Sequence, residues 1–127
     1  MTPRVEGQLA ALEMAWTDAN LNPASVGFVE AHGTATPAGD SAELSTLGRF
    51  FGQSKMKTAG LGSVKALIGH TMPAAGIAGF IKAALSVYYG VLPPSVGCQK
   101  PNRLLDETRF RIVEAAVSYT HLRAHET

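Results

Sequence analysis

Val26-Gly27-Phe28-Val29-Glu30-Ala31-His32-Gly33-Thr34-Ala35-Thr36-Pro37-Ala38-Gly39-Asp40 is the stretch on which the fold turns. Its opening run is rich in β-branched and aromatic side chains, which predicts a short strand ending at Ala31-His32. Gly33 to Gly39 is dense in turn formers. Asp40 or Ser41 then stands where a cap is needed for a helix running to about Phe51, with Leu44 and Leu47 on its inner side. Strand, turn and helix in that order form the repeating unit of α/β proteins.

A second unit of the same kind follows. Thr58 to Val64 predicts another short strand, Lys55 to Lys57 a solvated link before it, and Gly69-His70-Thr71 a turn into a helix from about Met72 to Tyr89. Ala75, Gly79 and Ala83 recur every four residues on that helix, a face that lets another backbone approach closely and predicts a buried central helix. Upstream, Thr2-Pro3 offers a cap with proline at the first helical position. Val5, Leu9, Leu12 and Trp16 then form one stripe of an amphipathic helix that stops near Asn20-Leu21-Asn22-Pro23. Downstream, Val91 to Ser95 leaves the long helix in extended form, and Phe110 to Val113 reads as a final strand. The fold class is α/β.

Composition narrows the function. The 127 residues are 46% hydrophobic and 17% charged, with a net charge of +1. No basic run exceeds a residue or two, so nucleic acid and anionic membrane find no electrostatic footprint. Cys98 is the single cysteine, which rules out an internal disulfide and a cysteine-based metal site. The first residues lack the apolar core of a signal peptide. The apolar stretch from Leu61 to Leu92 is interrupted by Lys65, His70 and Lys82, so it does not read as a membrane span. A reducing, cytoplasmic setting is the expectation.

Chemistry gathers at the two strand-to-helix junctions, where α/β proteins place ligand-binding groups. Each carries a histidine, His32 and His70, with a neighbouring glycine that allows close approach. His70 lies near a predicted helix N-terminus, whose dipole favours a neutral ring able to donate a hydrogen bond. Taken alone, Thr34 and Thr36 are turn hydroxyls, Asp40 a helix cap, and each histidine a structural residue. Lys65 stands out because a lysine in an apolar run needs a partner. His32, His70 and Asp40 match no short zinc spacing, so no metal is expected.

Together, the segments Val29 to Glu43 and Gly62 to Lys82 resemble the two histidine motifs of β-ketoacyl synthases, and the resemblance runs from about Arg4 to Ala116. Val91-Leu92-Pro93-Pro94 followed by Pro101-Asn102 is similar to the run after the long helix in polyketide and polyunsaturated-fatty-acid synthases. The resemblance implies the C-terminal half of a thiolase-like fold, with a mixed sheet layered between helices. It implies decarboxylative Claisen condensation, in which His32 and His70 bind the malonyl thioester carbonyl and stabilise its enolate, and Lys65 orders the site. It implies Thr34 and Thr36 as contacts of a phosphopantetheine arm, an acyl carrier protein and the N-terminal ketosynthase half as partners, a homodimeric parent, and no cofactor beyond the carrier's arm.

Some positions depart from the pattern. Fatty-acid-type members often carry a glutamate nine residues after the second histidine; here Gly79 stands there, as in polyketide types. Ala66-Leu67 replaces a common Ser-Asn pair. The nucleophilic cysteine belongs to the family's N-terminal half, and Cys98, in a loop without a glycine-rich elbow, reads as an ordinary loop residue. The chain is therefore expected to be inactive alone and to expose apolar surface. Residues 1–116 read as the truncated domain. Residues 117–127, with His121 and His125, depart abruptly and resemble translated sequencing-adapter read-through. The alternative readings are a non-catalytic partner of the chain-length-factor kind and, more distantly, a thiolase or chalcone-synthase relative acting on coenzyme A esters.

Overall fold

A computed structural model describes residues 4–118 of the chain. Helix α1 spans Val5–Ala19, and its first turn is closed by the Gln8 N–H donating to the Arg4 carbonyl, 3.2 Å. The expected Thr2-Pro3 cap lies outside the described residues, and the helix starts two residues later than that cap implies, after an extended Arg4. It stops where the sequence says it should. Asn20 takes the left-handed conformation (φ 51°), which asparagine tolerates better than most residues, and its N–H returns to the last turn.

Strand β1 is Phe28–Glu30, and helix α2 follows over Pro37–Phe51. The α2 start corrects the expected cap at Asp40 or Ser41. Thr36 is the N-cap, accepting from the Gly39 N–H at 3.2 Å, and Pro37 sits at the first helical position. Proline's fixed φ suits that position, and its missing N–H would have had no helical partner anyway. Asp40 falls inside the first turn, where its negative charge lies at the positive end of the helix dipole.

Strand β2 covers Ala59–Gly62, and β4, Phe110–Ile112, lies on its other side. The three strands form a parallel sheet in the order β1-β2-β4, with Phe28 opposite Gly60 and Ala59 opposite Phe110. β2 is buried throughout although it is nearly bare of side chains. A methyl group on Gly60 would sit 3.0 Å from Val113 and 3.1 Å from Leu92, so the glycine lets its neighbours' larger side chains close over the strand. A separate antiparallel pair joins β3, Val91–Leu92, to β5, Val117–Ser118, so Phe110–Ile112 is not the last strand. His121 and His125 lie outside the described residues.

The core gathers Leu44, Leu47 and Phe51 of α2 with Ala59, Leu61, Leu105 and Phe110. Trp16 of α1 meets the Phe51 ring edge-on, with centroids 5.5 Å apart. Lys57 is no solvated link. Its ammonium donates to the carbonyls of Leu105, Asp106 and Thr108 at 3.2, 3.0 and 2.6 Å, satisfying the loose end of the 3₁₀ turn at Arg103–Glu107.

A four-residue helix α3, Lys65–Ile68, and a 3₁₀ turn, Met72–Ala74, lead into α4, Ala75–Tyr89. The expectation of a buried central helix holds for one face only. Ala75, Gly79 and Ser86 are buried, whereas Phe80 is 70% exposed, and Ile77, Ile81, Leu85, Val87, Tyr88 and Tyr89 are exposed as well. Small residues seat one side of α4 on β1, and the described residues supply no second layer for the other side.

Candidate functional site

His32 follows the C-terminal end of β1, and His70 stands between α3 and the 3₁₀ turn. Parallel pairing of β1 with β2 brings the two loops side by side, and the imidazole rings meet edge to face with centroids 5.8 Å apart and planes at 90°. Both residues are exposed. Gly33 has φ +48°, and a β-carbon there would lie 2.8 Å from the Ser63 β-carbon, so the two loops can touch only because residue 33 is glycine. Gly69 serves differently. Nothing lies near its missing side chain, but its φ of +74° favours glycine.

Each histidine is held by a specific partner. The N–H groups of His32 and Gly33 donate to the two carboxylate oxygens of Glu43, at 2.7 and 2.9 Å, a fork that ties the loop to α2. A carboxylate accepting backbone N–H bonds is a strong, directional anchor. For His70, the Met72 N–H donates to Nδ1 at 3.1 Å. An Nδ1 that accepts cannot carry the proton, so this contact assigns the proton to Nε2 and leaves that N–H free to donate outward.

Lys65 opens α3 half-buried and lines an open cleft of about 950 Å3, together with His70, Thr34, Gly33 and Ser63. The His32 ring flanks His70 but does not line the cleft itself. Thr34 Oγ1 lies 3.3 Å from Thr36 Oγ1. Thr34 lines the cleft, whereas the Thr36 hydroxyl is engaged in capping α2. Removing that cap by Thr36→Ala is expected to destabilise the domain by about 1 kcal/mol, read as a lowered urea midpoint of the full-length protein; an unchanged midpoint would deny the cap its role. Asp40 also lines the cleft, with a buried Oδ1 that has no hydrogen-bond partner among the described residues. It does not join the histidines, and among the described residues no three metal-ligating side chains converge. Cys98 is exposed, in a loop that also lines the cleft.

Glu43 is the residue that sequence reasoning missed. It closes the segment from Val29 that carries His32, but nothing in its spacing distinguishes an inward carboxylate from an ordinary helix-surface one.

A family model described as "Beta-ketoacyl synthase, C-terminal domain" matches residues 1–99. The chain is 42% identical over 113 residues to a highly reducing polyketide synthase of Aspergillus terreus, an alignment covering 87% of this chain and 4% of that protein. It is also 42% identical over 114 residues to a phenolphthiocerol/phthiocerol polyketide synthase of Mycobacterium tuberculosis, covering 88% of this chain and 6% of that one. Among solved structures it superposes on the ketosynthase from module 1 of the bacillaene synthase of Bacillus amyloliquefaciens with a TM-score of 0.86 and 34% identity, over 93% of this chain and 22% of that chain. The PfaC keto synthase–chain length factor matches with a TM-score of 0.84 and 31% identity, over 95% and 13%. The chain thus spans a small fraction of the relatives it matches.

Proposed function

The chain belongs to the β-ketoacyl synthase C-terminal domain family, of thiolase-like fold and polyketide-synthase character, and from that premise we propose that it forms the enolate-binding side of a condensing active site. The whole activity belongs to the parent enzyme. In this reading an acyl chain is carried as a thioester on a cysteine of the N-terminal half. A malonyl thioester on an acyl carrier protein enters against His32 and His70. The bond to its carboxylate breaks, CO2 leaves, and the electron pair passes into the enolate. The enolate carbon attacks the acyl carbonyl, and the cysteine departs as thiolate.

The observation that carries this reading is the edge-to-face pair of His32 and His70, with the Met72 N–H on the His70 Nδ1. An oxygen gaining charge is stabilised by N–H donors held in place before the reaction starts, since no reorganisation is needed at the moment of reaction. Lys65 lends positive charge beside them. Thr34, which lines the cleft, turns its hydroxyl to the amides of a phosphopantetheine arm, while Thr36 shapes the same loop through its cap. No cofactor beyond that arm is called for. The partners are the carrier protein, the N-terminal half and, in the parent, a second copy of the enzyme. None of the described helices is long and apolar enough to cross a membrane, and a cytoplasmic location is part of the reading.

The test is to incubate the parent protein with an acyl donor and look for a covalent acyl group by mass spectrometry. An acylated cysteine N-terminal to this segment is expected, and carbon–carbon bond formation should follow on adding malonyl-carrier protein. The chain by itself should release no CO2. The likeness to the PfaC keto synthase–chain length factor keeps one other reading open: a partner that binds carrier protein without condensing. A parent protein that never becomes acylated would support that reading and overturn the first.

A further inference from the structure

Glu30, the last residue of β1, points its carboxylate into the seam between β1, β2 and α4. Its Oε2 lies 2.8 Å from the Lys82 ammonium, and the two side chains are only 12% and 9% exposed. Its Oε1 accepts the N–H of Val64, the residue before Lys65. Lys82 also stands over the Phe28 ring, 5.4 Å from its centroid. Two glycines make room: a β-carbon at Gly79 would lie 3.1 Å from Glu30 Cγ, and one at Gly62 would lie 3.1 Å from the Lys82 Nζ.

Stability is a poor explanation for this arrangement. Desolvating two charges offsets most of what their attraction returns, and apolar replacements of similar volume are often neutral or better. What a buried carboxylate with both oxygens engaged does supply is a fixed distance between the groups it joins. One of those groups is the strand that ends two residues before His32. Another opens the segment carrying Lys65 and His70. The third is the helix that follows His70.

We propose that Glu30, paired with Lys82, is a positioning residue that sets the spacing of the His32 and His70 loops and thereby governs decarboxylation. The proposal rests on the functional reading given above, which itself makes no use of Glu30 or Lys82. Small displacements of reacting groups are costly; an ångström of misplacement removes up to about a hundredfold in rate.

The experiment uses the full-length parent synthase carrying Glu30→Gln, Lys82→Met or both, with His32→Ala and His70→Ala as controls. Acyl loading of the nucleophile and CO2 release from malonyl-carrier protein are measured separately, each per folded active site. Lys82→Met strands a buried carboxylate and is expected to slow CO2 release by about ten- to a hundredfold while acyl loading changes less than about threefold. Glu30→Gln keeps an oxygen for the Val64 N–H and should cost less. The double variant should recover much of the loss of Lys82→Met, because no unpaired charge remains. Two half-reactions slowed by the same factor would make the pair merely structural and overturn the proposal, as would unchanged CO2 release. If the histidine variants lose CO2 release while Glu30→Gln and Lys82→Met retain it, this proposal alone fails. If the histidine variants retain it, the functional reading fails and the proposal falls with it.

Discussion

Replacing His70 by alanine in the parent synthase is expected to slow CO2 release from malonyl-carrier protein by about a hundred- to a thousandfold, the cost of removing one preorganised donor from a developing oxyanion. The effect should be large because the donor is held in place before the reaction. The Met72 N–H fixes the ring with Nε2–H outward, and the other imidazole, His32, lies with its ring centroid 5.8 Å away. His32→Ala should cost a similar factor. The double variant should lose little more than either single one, since two donors that serve the same oxygen act as a unit and their losses are not additive. Single-turnover release of labelled CO2 from an acyl-loaded enzyme measures this directly. A change below about threefold in both single variants would remove the histidine pair from the chemistry.

The second large effect concerns stability. Phe110→Ala should destabilise the domain by about 3–5 kcal/mol, the usual cost of deleting a fully buried aromatic ring. Phe110 is wholly buried, stacks edge-on against Phe51 at 5.5 Å, and pairs through its backbone with Ala59. The strand beside it is too sparse in side chains to relax into the hole. Net stabilities of domains are about 5–15 kcal/mol, so the variant would sit near the edge of folding. Urea unfolding of the full-length protein, followed by hydrogen exchange of the β2 and β4 amides, provides the readout. A loss under about 1 kcal/mol would mean that the ring is not the keystone of this core.

Both histidine junctions are legible in the sequence because their signals are local: a short strand run before each histidine and a glycine beside it. The differences are also physical. At the start of α2, Thr36 and Asp40 can both cap, and Pro37 decides between them, because its preference for the first helical position outweighs the higher capping rank of aspartate. Lys57, Glu43 and the Glu30–Lys82 pair are silent in the sequence because each acts across the fold, on partners ten to about fifty residues away. No periodicity encodes such contacts. Helix α4 departs from expectation for another reason. Its composition is apolar on nearly every side, which predicts burial, but composition does not say which polypeptide does the burying.

The bareness of β2 has a consequence for the order in which the chain can fold. Ala59-Gly60-Leu61-Gly62 has almost no intrinsic preference for an extended conformation, and its glycines lose the most conformational freedom on ordering. Its cover comes from Phe28 on one side in sequence and from Leu92 and Val113 on the other. The α1–α2 pair, held by Trp16 against Phe50 and Phe51, needs no residue beyond Phe51. The sheet needs more of the chain: one edge of β2 pairs with β1, but its other edge waits for β4. Closing the long loop to β4 must precede any reward from pairing it, so on the ribosome β2 lacks half of its cover until Val113 has emerged.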